Sequence, residues 1–126
     1  MTVFNEGRHT AEFILSEEEF GYSRDNVTIL GGYTGAGVIK AGTVLGKITS
    51  GGKYTPSPAS GADGSQTAVA LLLDNVDVTD GDVAAAVVTR VCQVNGNLLE
   101  YEATVDTTNE KAAKATQLAA VGIIVR

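Results

Sequence analysis

The sequence predicts a mainly β domain with one C-terminal α-helix, preceded by an extended N-terminal arm. Between Val27 and Tyr101, short β-prone runs alternate with glycine-rich turns, the rhythm of an all-β body. The 15 glycines in 126 residues supply the positive φ angles that many tight turns need. A single capped helical pattern follows Asp106, whereas Met1 to Asn26 mixes polar residues with isolated apolar ones. The expected division is therefore an arm over residues 1–26 and a β-rich body over residues 27–126.

Within the arm, Ala11-Glu12-Phe13-Ile14-Leu15 is strand-prone and Glu17-Glu18-Glu19 ends it, because three adjacent carboxylates repel one another inside a packed element. The body opens with Val27-Thr28-Ile29-Leu30, turns at Gly31-Gly32 and Gly35-Ala36-Gly37, continues through Thr43 to Ile48 and turns again at Gly51-Gly52. Thr55 to Gly64 contains both prolines and reads as a surface loop, since proline donates nothing to a ladder. Ala68 to Leu73 lacks alternation, which suits a strand covered on both faces. Ala84 to Val94 reads as a longer buried strand, and Asn95-Gly96 or Gly96-Asn97 as a hairpin turn into Leu98 to Tyr101.

The helix is expected over about residues 107–120. Thr107 and Glu110 have the spacing of a capping box, and Gly122 stands where a left-handed C-terminal cap belongs. Ala112, Ala115, Leu118 and Ala119 would face inward, and Ile123-Ile124-Val125 would return as a final strand.

Composition narrows the function. Apolar residues make up 44% of the chain with no tryptophan, so Val, Ala, Leu and Ile must fill the core. The net charge of −6 and the scattered Lys and Arg residues argue against nucleic acid, whose phosphates demand concentrated positive charge. No apolar run approaches the ~20 residues that span a bilayer. Met1 to Arg8 turns polar too early for a secretory signal, so the expectation is synthesis and use in a cytoplasm. Cys92, alone and flanked by valines at 91 and 94, reads as a small buried hydrophobe.

The residues carry no pattern expected of a catalytic centre. His9 lies three residues from both Glu6 and Glu12, but the surrounding residues do not favour the helix that would gather them as metal ligands. Asp74 to Asp82 resembles a calcium loop only in acidity, because aligning Gly81 with the required glycine puts Val76 and Val78 at ligand positions. No Walker-type motif or Gly-x-Ser-x-Gly elbow occurs. The sequence thus carries no expected catalytic, cofactor-binding or metal site.

Taken together, several stretches resemble the lambda-type phage head decoration protein family. They are Glu6 to Ser16, Ala41 to Thr49 with Gly52-Lys53-Tyr54, Asp63 to Ala68, Val94 to Leu99, and the helix followed by Leu118 to Val125. Their order and spacing are more specific than any one of them. The resemblance implies a β-clip-like fold and a homotrimer at threefold positions outside the expanded capsid. There it would bind the major capsid protein and stabilise the head against internal DNA pressure. It also implies a capsid-binding arm, here carrying Val3, Phe4, His9, Phe13, Ile14 and Leu15. The chain departs from that pattern in lacking tryptophan and in its longer acidic segment from Glu17 to Asn26. A stand-alone ligand-binding or carbohydrate-binding β module is the alternative, for which Tyr33, Tyr54 and Tyr101 are the only aromatic residues placed near loops.

Overall fold

The computed structural model describes residues 9–18, 21–32 and 37–126. In chain order its strands are β1 (Ile14–Glu17), β2 (Arg24–Ile29), β3 (Val38–Ile39), β4 (Val44–Lys47), β5 (Tyr54–Pro56), β6 (Ala68–Leu72), β7 (Val76–Asp77), β8 (Val83–Val88), β9 (Cys92–Val94) and β10 (Ile123–Val125). The helix α1 (Thr108–Ala120) lies between β9 and β10. Strands β2, β5, β4, β6 and β8 close in that order into a barrel, β1, β9 and β10 form a three-stranded sheet, and β3 pairs with β7. The fold is mainly β with a C-terminal helix, as the sequence predicts.

Cross-strand pairing separates two cores. Leu45 faces Ala70 across β4 and β6, and Leu72 faces Val87 across β6 and β8. These residues join Ile29, Ile39 and Val78 in one cluster, with Val27, Tyr54, Val83 and Ala85 packed against it. All five barrel strands contribute, so this cluster is the barrel interior. The alternate residues Val44, Leu71 and Val88 face outward and meet Phe13, Cys92, Val94, Leu99, Leu118 and Ile123. The barrel wall is thus apolar on both faces where the sheet and helix cover it, which accounts for the absence of alternation in β6.

Local chemistry shapes the wall. A β-bulge interrupts the pairing of β4 with β6 between Leu45 and Gly46, and a Cβ at Gly46 would lie 1.9 Å from the Ser65 carbonyl oxygen. Only glycine fits there. The predicted loop from Thr55 begins later, because Thr55 and Pro56 belong to β5. Ser57 N–H donates to the Val44 carbonyl at 2.9 Å, which makes the adjacent Leu45 and Pro56 a pair that needs no amide from residue 56.

The expected single strand over residues 84–94 is two strands in different sheets. The chain breaks at Thr89 to Val91, where the Thr89 hydroxyl donates to Asp25 at 2.8 Å and Arg90 donates to the Tyr22 carbonyl at 2.6 Å. The expected hairpin after Asn95 is instead a 3-10 turn over Gly96–Leu98, with the Asn95 side chain accepting from Asn97 N–H. Beyond it, Glu100 contributes an isolated bridge to Thr43.

The helix matches its predicted limits. Thr107 and Glu110 form the reciprocal capping box, and Gly122 follows it at φ 89°. Its inward face differs, however: Lys114 and Leu118 are buried, while Ala112 and Ala119 are exposed. Residues 114 and 118 are one turn apart on a single stripe, and that stripe, rather than the alanines flanking it, meets the barrel.

The largest difference concerns the expected arm. Phe13 is 0% exposed within the outer core, β1 pairs with β9 of the same chain, and β2 is a barrel strand paired along its whole length with β8. Phe13 to Glu17 and Arg24 to Asn26 are therefore integral to the body. Their polar composition arises because β1 is an edge strand and β2 alternates exposed polar residues with inward Val27 and Ile29. Phe13→Ala should accordingly destabilise the protein by about 3–5 kcal/mol in urea unfolding, whereas an unchanged midpoint would mean that Phe13 lies outside the core.

Candidate interaction surface

The predicted arm residues fall into three groups. Val3 and Phe4 lie outside the described residues. Phe13 is in the core, and the partly buried Ile14 packs against it. His9 is exposed, and Leu15, at the irregularity where the register of β1 shifts, is 55% exposed.

The candidates for metal and sugar binding are not brought together among the described residues. Glu6 and Tyr33 lie outside the described residues, and among those described no three His, Cys, Asp or Glu side chains gather around one point. The acidic stretch spends its carboxylates on its own turns and neighbours. Asp74 accepts from Asn75 N–H, Asp77 from Thr79 N–H, and Asp82 from Gly31 N–H at 2.7 Å while pairing with Lys53. Tyr54 packs against the barrel core, and the Lys111 ammonium lies 5.4 Å from the Tyr101 ring centroid.

One buried polar group escaped the sequence reading. Lys114 is 2% exposed, and its ammonium donates to Ser57 Oγ at 2.9 Å, the Pro58 carbonyl at 2.6 Å and the Gln66 carbonyl at 2.6 Å. Ser57 Oγ in turn donates to the Ser65 carbonyl at 2.7 Å. A serine beside a lysine can serve as nucleophile and base, but here both side chains are buried and their protons are engaged. Burial lowers the Lys114 pKa, while the three acceptors satisfy the donors of the charged form. The arrangement fastens the loop from Ser57 to Gln66 beneath the helix. The signal available in the sequence was its four-residue spacing from Leu118.

Cys92 is equally inert. Burial pushes its thiol up to about 11, so it is a protonated hydrophobe at neutral pH.

What remains is surface. Near the Glu17 end of the three-stranded sheet a shallow hollow of about 270 Å³ is lined by Glu17, Glu18, Val91, Gln93 and Ile124, among others. Val91 and Ile124 are 45% and 38% exposed. Val91 also adopts φ 45°, a left-handed conformation that is a genuine outlier for a β-branched residue and of a kind that costs of order 1–3 kcal/mol. It is held there by Ser23 Oγ donating to the Val91 carbonyl at 2.8 Å and by Cys92 N–H donating to Gly122 at 3.2 Å. Arg24 Nε donates to Glu17 at 2.9 Å and holds that carboxyl below its ordinary value. Glu18 is exposed.

The described residues thus form a small barrel with a braced core, local uses for its acidic side chains and an apolar patch at a sheet end. The family model for the bacteriophage lambda head decoration protein D matches residues 3–123, and the chain belongs to that family. No curated protein matches it. The family is structural, a component of the phage capsid. No helix among the described residues is long and apolar enough to cross a membrane.

Lys114→Met should lower the unfolding free energy by about 1–3 kcal/mol by stranding buried acceptors, with faster amide exchange in the loop from Ser57 to Gln66. Unchanged stability and exchange would show that the ammonium does not fasten it.

Proposed function

We propose that the protein binds as a homotrimer at threefold sites on the outer surface of the expanded phage head, after synthesis in the host cytoplasm. There it joins neighbouring major capsid protein subunits and stabilises the shell against internal DNA pressure. The observation that carries this reading is the family match over residues 3–123. A β-clip assignment for the body accompanies it, supported by the same family relationship and compatible with the small closed barrel.

The capsid-binding segment is shorter than the sequence suggests. Phe13 and Ile14 are committed to the body, so the proposal assigns capsid contact to residues 1–10, with Val3, Phe4 and His9, and to the exposed Leu15 side chain. Val3 and Phe4 are the apolar side chains this segment would offer if it added to a partner's sheet edge, where backbone hydrogen bonds supply affinity and alternate side chains set register. Contacts from three linked copies would multiply, since each later attachment is intramolecular. The net charge of −6 suits a protein displayed away from the packaged genome.

Sedimentation with expanded, undecorated capsids tests the reading directly: the full chain should co-sediment, and failure to do so at micromolar concentrations would remove the proposal. Deleting residues 1–8 should preserve the thermal unfolding midpoint while weakening capsid association, because the core residues from Phe13 onward are untouched. Undiminished association would exclude that segment as a contact.

A further inference from the structure

We infer that the hollow at the end of the three-stranded sheet is a docking site for an Arg or Lys side chain of the capsid subunit. The inference rests on the capsid-decoration reading and adds a second contact, separate from residues 1–10.

Val91 is the first reason. At positive φ the described chain uses nine glycines and only two other residues, Ala11 and Val91. Glycine would remove the backbone strain at residue 91, yet the position carries a branched side chain that remains 45% exposed. That isopropyl group therefore contributes little to the core while keeping the backbone in an unfavourable conformation. Its placement next to the exposed Ile124 makes an apolar wall of the hollow. Strain retained around an outward-facing apolar side chain fits a surface shaped for a partner.

Charge identifies the occupant. Glu17 and Glu18 line the same hollow. Glu17 is engaged by Arg24, whereas Glu18 is exposed and makes no ion pair with the described residues. A hollow lined by exposed apolar side chains and the Glu18 carboxylate suits a side chain with an aliphatic stem and a cationic head. The volume of about 270 Å³ falls below the ~300–1,000 Å³ of typical small-molecule sites and suits one long side chain.

The test uses the full chain and expanded, undecorated capsids. Val91→Gly should fold with an unchanged or higher thermal midpoint and bind capsids at least tenfold more weakly. Glu18→Lys should bind more weakly as well, with a flatter salt dependence, while Val38→Ser, altering an exposed valine on β3, should bind like the unaltered chain. If the unaltered chain binds and both Val91→Gly and Glu18→Lys match it, the docking site is overturned while the capsid reading stands. If the unaltered chain does not bind, the capsid reading itself fails. Val91→Gly changing the native mass of the free protein, with its capsid affinity intact, would assign the hollow to contact between copies and overturn the capsid side chain as its occupant.

Discussion

Lys114 ties together parts of the chain that have little else in common. Its ammonium reaches Ser57, Pro58 and Gln66 at 2.6–2.9 Å, and one turn later Leu118 enters the outer core. The neighbouring Gln117 side chain accepts from Ala68 N–H at 2.8 Å, at the start of β6. The helix therefore has polar anchors to the loop and the strand beside its apolar contact. An ammonium fully supplied with neutral oxygens is a demanding arrangement: any acceptor withdrawn leaves part of a buried charge unsatisfied. Such a group specifies where the helix sits more narrowly than alanine packing alone would.

A second brace acts where the chain passes from the barrel into the three-stranded sheet. Asp25 accepts from Thr89 at 2.8 Å and pairs with Arg90, and Arg90 also lies 5.6 Å from the Tyr22 ring centroid. The Arg90 guanidinium and the Thr89 hydroxyl hold the Asp25 carboxyl below its ordinary value. These groups are partly exposed, so each is worth little alone. Their joint effect is geometric, because they fix β2 against the residues immediately before Val91 and allow the chain to turn there. Ser23, buried and bonded to the Val91 carbonyl, completes the turn from the other side.

The sequence disclosed what is encoded locally. The helix was legible because Thr107 and Glu110 satisfy each other within one turn, and β6 because six consecutive apolar residues leave no polar face. Features set by distant partners were not legible. Nothing between Ala84 and Val94 marks a break, since the break depends on Ser23, Tyr22 and Asp25. Lys114 has no place in the predicted inward face of the helix because its acceptors lie 48–57 positions away. Pro56 looked like a loop residue because register alone reveals that its missing amide is not needed. The interaction surface was harder still: Leu15 was visible as an apolar strand residue, but Val91 stands in a run that reads as a buried strand, and nothing in Ile123-Ile124-Val125 marks which side chain faces outward.

The same misreading explains how a polar N-terminal stretch can be structural. A free arm and an edge strand share a composition, with apolar residues too few to make a core alone. What separates them is whether a second sheet stands ready to receive one face. Here β9 receives β1, while Phe13 passes beneath into the outer core and Leu15 is left outside. The edge strand thus links the packed interior to the surface, so a contact at Leu15 or the neighbouring hollow would bear on the braced body itself. A contact made through such a fixed strand loses less conformational entropy on binding than one made through a tether.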